Sequence, residues 1–205
     1  MLLNRLMLGR ASSCKTLLQI YLMSALNLLN VNGTGNYVEG VVNGRASGGL
    51  VRSSSCKIPL SILRIASWNV GTLKGRSNEI VDTLYRRNVD ICCVQEVRWR
   101  GAGTRIVSDG KGSQYKFFWI GNAQGTNGVG IFLAEELTDK VYDIKRVSDR
   151  IVLIKLLICD EILSVLSVYA PQTGLEDSIK DSFYDNLLSV TSDIPDNEIV
   201  IPCGD

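Results

Sequence analysis

The sequence predicts an α/β fold, and three observations carry that reading. Short apolar runs rich in β-branched residues recur from residue 58 onward, an amphipathic helical stretch separates two of them, and a polar side chain stands where several of the runs end. The run SILRIASWNVG (61–71) reads as a strand whose exit is Asn69. SNEIVDTLYRR (77–87) reads as a helix. Ser77 is placed to cap it, Ile80 and Leu84 recur four apart, as do Val81 and Tyr85, and Arg86 and Arg87 stand where cations favour the helix dipole.

VDICCVQE (89–96) is nearly continuous in apolar residues, the pattern of a strand covered on both faces. A strand, a helix and a strand in succession make parallel neighbours with a right-handed crossover. Asn69 and Glu96 then share the carboxyl edge of one sheet, where open α/β sheets bind ligands. Further strands are expected at YKFFWIGN (115–122) and GVGIFLA (128–134), joined by the turn AQGTN. RIVLIKLLI (150–158) and ILSVLSVYAP (162–171) form a hairpin that exits at Tyr169. A helix over 176–190, with Ile179, Phe183 and Leu187 on one stripe and Tyr184 and Leu188 beside it, runs toward Pro195 and the last strand, EIVIPCGD.

Composition narrows the functional classes. Lys and Arg number 22 against 21 acidic residues, so no global basic field advertises nucleic acid. The 205 residues contain no histidine, which excludes His-dependent triads, His-ligated zinc and a His general base. The six cysteines form no C-x-x-C pair, which argues against a zinc knuckle. Cys92, Cys93 and Cys203 fall within apolar runs, as reduced thiols packed like small hydrophobes do, in keeping with a reducing compartment.

Residues 1–57 differ in kind from 58–205. No acidic residue precedes Glu39, while Arg5, Arg10 and Lys15 are basic, and LLQIYLMSALNLL (17–29) is shorter than the ~20 residues of a membrane span. A Gly-, Ser- and Asn-rich stretch then reads as a linker. Three readings stand for this segment: an unstructured extension, a mitochondrial presequence, or a secretion signal for which Asn32-Gly33-Thr34 would be a glycosylation sequon. The remainder suits a nuclear or cytoplasmic protein without a membrane partner.

Four strand exits, ASWN, CVQE, SVYAP and PCGD, present an amide, a carboxylate, a phenol and a second carboxylate. Loop residues at strand ends are commonly polar for the sake of solvent alone. Taken together, this oxygen-rich set suits a hard divalent cation such as Mg²⁺, which takes one or two carboxylates and completes its shell with water and substrate phosphate. Such an ion polarises a phosphoryl oxygen, and a further carboxylate can orient and deprotonate water.

The ordered motifs ASWNVGTL, CCVQEVRW, NGVGIFL, SDRIVLIKL, VYAPQTG and the terminal GD resemble the endonuclease/exonuclease/phosphatase superfamily over about 61–205. In flavour they lie near the endonuclease domains of non-LTR retrotransposons and the craniofacial development protein 2-like proteins. The resemblance implies a two-sheet α/β sandwich with outer helices, hydrolysing a phosphoester, with DNA as substrate, using Mg²⁺ or Mn²⁺. It implies that Glu96 ligates the metal, that Asn69 completes the metal site beside it by holding metal-bound water or phosphate, that Tyr169 contacts the scissile phosphate, and that Asp205 orients or activates the nucleophilic water. It also implies a later histidine and further strands of the second sheet. The fold is therefore expected to be incomplete at the C-terminus, Asp205 to fray, and the chain alone to be inactive.

Arg98, Trp99 and Arg100 follow Glu96 and form a cation–aromatic–cation loop suited to a nucleic-acid backbone or base, or to a solvated loop with Trp99 half buried. Asn127 before GVGIF is a substrate-contact candidate or a turn residue of an Asn-Gly pair, and Arg150 in SDR reads as a salt-bridge partner. Two other readings remain at this point: a phosphatase or phospholipid phosphodiesterase of the same superfamily, and a non-catalytic binding remnant of a retroelement-derived protein.

Overall fold

A computed structural model describes residues 63–205 and the backbone of a short strand, Ile20–Leu22. The expected boundary near residue 57, and all else expected of the first 62 residues, lies outside the described residues. In chain order the elements are β1 (Ile20–Leu22), β2 (Ile65–Asn69), α1 (Ser77–Arg86), β3 (Ile91–Gln95), β4 (Ala102–Ser108), β5 (Gln114–Ile120) and β6 (Val129–Ala134). A 3-10 turn (Glu135–Lys140) follows, then β7 (Val141–Ser148), β8 (Ile151–Ile158), β9 (Glu161–Val168), α2 (Asp177–Ser192) and β10 (Ile199–Gly204).

Two mixed sheets result. The first has the order β1-β2-β3-β6-β5-β4 and the second β10-β9-β8-β7. β2 and β3 are parallel, with Asn69 opposite Gln95, and β9 and β10 are parallel, with Val168 opposite Gly204. The predicted hairpins of β5 with β6 and of β8 with β9 are antiparallel. The β8–β9 turn places Cys159 and Asp160 at φ of 50° and 66°, the left-handed geometry that a two-residue hairpin demands.

Strand alternation partitions the apolar residues into three layers. Ile65, Ile91, Cys93, Ile131 and Leu133 of the first sheet meet Val152, Ile154, Leu163, Val165, Ile201 and Cys203 of the second in one interlayer core. Ala66, Trp68, Cys92 and Val94 face the other way and are covered by Ile80, Val81 and Leu84 of α1. Each of these three helix residues is at most 2% exposed, a burial that contributes roughly 1.5–3 kcal/mol per side chain. Ile151, Leu153, Leu166 and Val168 form the outer face of the second sheet under Phe183 and Val190 of α2. This is the two-sheet α/β sandwich with outer helices that the resemblance implies.

Three local expectations need correction, those for Ser77, for the α2 stripe and for Cys159, and two strands, β4 and β7, were not foreseen. Ser77 does not cap α1: the cap position is Arg76, and the Ser77 hydroxyl pairs instead with Asn78 at 3.4 Å. On α2 the buried residues are Phe183 and Val190, whereas Ile179, Tyr184 and Leu188 are exposed, because the helix meets a narrow strip of sheet. β4 and β7 carry no apolar run because each is the outermost strand of its sheet and largely polar. Cys92, Cys93 and Cys203 are free and buried, and burial pushes the Cys92 and Cys93 thiols up, so both stay protonated. Cys159, at the hairpin turn rather than in the core, is disulfide-bonded, so the expectation of reduced thiols holds for the three core cysteines.

One ion pair is buried on the outer face of the second sheet. Lys155 Nζ donates to both Glu198 carboxylate oxygens at 2.7 and 2.8 Å, and Ser164 Oγ donates to the same carboxylate at 2.6 Å. Glu198→Ala leaves the Lys155 ammonium unpaired in a site where its side chain is 9% exposed. The expected loss is about 3–5 kcal/mol in urea unfolding, with a much smaller loss for the double replacement Lys155→Met/Glu198→Leu.

Candidate active site

The alternation that builds the interlayer core also delivers polar groups to its rim. On β2 the inward residues run Ile65, Ser67, Asn69, on β9 Val165, Ser167, Tyr169, and on β10 Ile201, Cys203, Asp205. All three series change from apolar to polar toward the same end, because β2 and β3 run parallel in one sheet and β9 and β10 in the other. β3 differs by one residue: Gln95 takes its last inward position. Glu96 follows with φ of 56°, a left-handed turn that breaks the alternation and brings its carboxylate back to the rim. Such a conformation in a non-glycine residue costs of order 1–3 kcal/mol and persists where the surroundings enforce it.

The four side chains form one hydrogen-bonded set. Asn69 Nδ2 donates to Glu96 Oε1 at 3.0 Å and to Asp205 Oδ2 at 2.8 Å. The Tyr169 hydroxyl donates to Glu96 Oε1 at 3.2 Å, and Arg98 pairs with Glu96 Oε2 at 2.7 Å. The backbone N–H of Gly71 donates to Asn69 Oδ1 at 3.0 Å. Two carboxylates on one side of the amide and an N–H donor on the other leave a single consistent orientation, with the nitrogen toward the carboxylates.

Burial pushes the Glu96 carboxyl up, but hydrogen bonds from Asn69, Arg98 and Tyr169 and the Arg98 charge outweigh it, and the group is held below its ordinary range. Tyr169 moves the other way. Burial and the adjacent Glu96 charge push its phenol up, so it keeps its proton and remains a donor. Arg150 lies over the Tyr169 ring at 5.0 Å and donates to the carbonyls of Tyr169 and Ala170, both at 3.3 Å. It therefore steadies the strand exit through its backbone and ring contacts, and is not the salt-bridge partner expected from the sequence.

Asp205 is exposed yet tied down. Its N–H donates to the Val168 carbonyl at 3.2 Å, and its own carbonyl accepts from Ala170 at 2.9 Å. That approach needs Gly204, where a Cβ would stand 2.5 Å from the Val168 carbonyl oxygen. The fraying expected at this residue is thus replaced by a three-point attachment that includes the Asn69 amide.

The loop candidates separate. Arg98 reaches the site through Glu96. Trp99 belongs to an aromatic cluster, edge-on to Phe117 at 5.4 Å and to Trp119 at 5.1 Å, with Arg105 over its face at 5.2 Å. Arg100 is exposed beside the turn at Gly125, which Lys74 also approaches. Asn127 donates to Asp149 at 2.9 Å, and its carbonyl accepts from Arg98 N–H at 3.0 Å, so it braces the loop. Gln95, Ser67 and Ser167 were not among the residues expected to matter, although a polar residue inside each of three apolar strands, β2, β3 and β9, was the signal that marked them.

Glu96 and Asp205 supply the carboxylate chemistry that a divalent ion needs. Among the described residues no three His, Cys, Asp or Glu side chains gather into a closed metal cage. The donor set therefore fits Mg²⁺ or Mn²⁺, which accept one or two carboxylates and leave positions for water and phosphate, and does not fit a structural zinc.

A family model for the endonuclease/exonuclease/phosphatase family matches residues 66–195. The chain belongs to this family. Craniofacial development protein 2 of Bos taurus is 23% identical over 142 residues, a match covering 69% of this chain and 23% of that protein, so the chain spans about a quarter of this curated relative. The catalytic domain of Xenopus laevis APE2 superposes with a TM-score of 0.52 at 21% identity, covering 69% of this chain and 57% of that one. The endonuclease domain of TRAS1, a telomere-specific non-LTR retrotransposon, superposes with a TM-score of 0.48 at 16% identity, over 70% of this chain and 58% of that one. The likeness to APE2 establishes the sandwich fold of the family.

The depressed Glu96 carboxyl has a consequence for stability. Near the acid end the unfolded chain binds the Glu96 proton before the folded chain does, so stability falls as pH falls through the folded-state value and is fully present above the ordinary value of about 4.5. In metal-free buffer, the unfolding free energy of the wild type minus that of Glu96→Gln should therefore be largest at neutral pH and shrink on acidification. A difference that stays constant with pH would contradict the assigned hydrogen bonds.

Proposed function

We propose that the chain carries the site of a divalent-metal-dependent phosphodiester hydrolase acting on DNA. The observation that carries this reading is the convergence of Asn69, Glu96, Tyr169 and Asp205 at one rim, linked by three side-chain hydrogen bonds. In the proposal Glu96, kept ionised by its three donors, holds the Mg²⁺ or Mn²⁺. When bound, the ion supplies polarisation of a phosphoryl oxygen and stabilisation of the leaving alkoxide.

The residues of the chain have distinct tasks. Asn69 donates to both carboxylates and so fixes their spacing, while its oxygen accepts from Gly71 and keeps a second lone pair for the ion or its water. Asp205 uses the carboxylate oxygen not taken by Asn69 to orient a water and accept its proton. Tyr169 keeps its proton, which it gives to Glu96 in this structure and would turn to a phosphate oxygen once Glu96 holds the ion. Arg98 and Arg100, both exposed, and Lys74 near Arg100 favour an extended polyanion over a small neutral substrate.

The resemblance calls for an imidazole beside the transferring phosphoryl group, and the chain has no histidine. Binding without turnover is the expected behaviour. Mn²⁺ titration followed by electron paramagnetic resonance should show binding that Glu96→Gln weakens about tenfold or more, while supercoiled plasmid stays intact. Mn²⁺ binding indifferent to Glu96→Gln would overturn the site, and metal-dependent nicking abolished by Glu96→Ala would overturn the absence of turnover.

A further inference from the structure

Three of the four strands that end in a site residue, β2, β3 and β9, also carry a buried polar residue just below it. Ser67 precedes Asn69 by two residues, Gln95 directly precedes Glu96, and Ser167 precedes Tyr169 by two. Gln95 and Ser167 are 0% exposed and Ser67 5%. Gln95 Nε2 donates to Ser67 Oγ in its own sheet and to Ser167 Oγ in the opposite sheet, both at 3.3 Å. Ser167 Oγ donates in turn to the Val94 carbonyl at 3.2 Å, back across to β3.

The direction of these bonds is fixed by proton counting. The hydroxyl of Ser167 has one proton and spends it on Val94, so its oxygen is left to accept from Gln95. The amide nitrogen of Gln95 then faces the serines, and among the described residues buried Oε1 has no donor. A buried polar trio with one unsatisfied oxygen costs stability that an apolar residue at position 95 would not. Its place makes sense as specification: apolar faces can slide over one another, whereas hydrogen bonds across the layer fix their offset.

We infer that Gln95 is a positioning residue, whose amide ties β2 and β3 to β9 across the sandwich and thereby sets the distance of Asn69 and Glu96 from Tyr169 and Asp205. The inference deepens the hydrolase reading and rests on it for its purpose, but not for its geometry. The Gln95 side chain bonds to Ser67 and Ser167 and to none of the side chains proposed to meet substrate. It acts through the strands that carry them.

The test reads the site without metal or DNA. In the full chain, the two side-chain amide protons of Asn69, assigned by their loss in Asn69→Ser, are followed by ¹⁵N–¹H NMR in the wild type, Gln95→Met, Ser167→Ala and Leu153→Ala. Leu153 packs on the outer face of the second sheet, so its truncation lowers stability without touching the trio. The expected result is that Gln95→Met and Ser167→Ala move both protons toward the shifts of a free amide and speed their exchange about tenfold or more, while Leu153→Ala leaves them unmoved. Unmoved protons in Gln95→Met, or an equal displacement in Leu153→Ala, would overturn the positioning role. Where Gln95→Met does not fold, Ser167→Ala decides between the same two outcomes. Loss of Mn²⁺ binding in the wild type would defeat the hydrolase reading and leave this result standing.

Discussion

The period of two along a β-strand is the constraint on which the rest depends. It sorts the residues of β2, β9 and β10 into an outward set that meets helices and an inward set that meets the other sheet. Because β2 and β3 are parallel, and β9 and β10 likewise, the inward sets end at the same rim. The active-site geometry is thus the last step of the packing pattern that makes the core. A one-residue slip in any of these strands would turn a core residue outward and withdraw its polar partner from the rim.

The electrostatics of the rim follow from that placement. Two carboxylates are brought to one amide, and each needs a donor. Asn69 serves both, Tyr169 and Arg98 complete the shell of Glu96, and the ring of Tyr169 is steadied by the Arg150 guanidinium. These donors outweigh the desolvation of Glu96, so its carboxyl is held below its ordinary range.

Much of this was legible in the sequence where local pattern and tertiary role agree. The apolar run of β3 announced a strand covered on both faces, and it is buried at all five positions. The strand–helix–strand order announced the parallel pair, and hence that Asn69 and Glu96 share an edge. What escaped was decided by partners far away in the chain. β4 and β7 are edge strands held by neighbours rather than by their own hydrophobicity. For Trp99, left open between a substrate contact and a half-buried loop residue, the second holds through Phe117 and Trp119 of β5, and Asn127 is engaged by Asp149. Gln95 drew no reading from the sequence, because its partner Ser167 lies on the opposite sheet.

The central claim is that the two sheets deliver their polar ends to a single place, and the bond between Asn69 and Asp205 joins the first sheet to the second across that rim. A double-mutant cycle of Asn69→Ala and Asp205→Ala, read by chemical denaturation of the full chain, isolates it. The account predicts a coupling on the order of 0.5–3 kcal/mol, the range of residues in one hydrogen-bonded network. Strictly additive effects of the two replacements would contradict it.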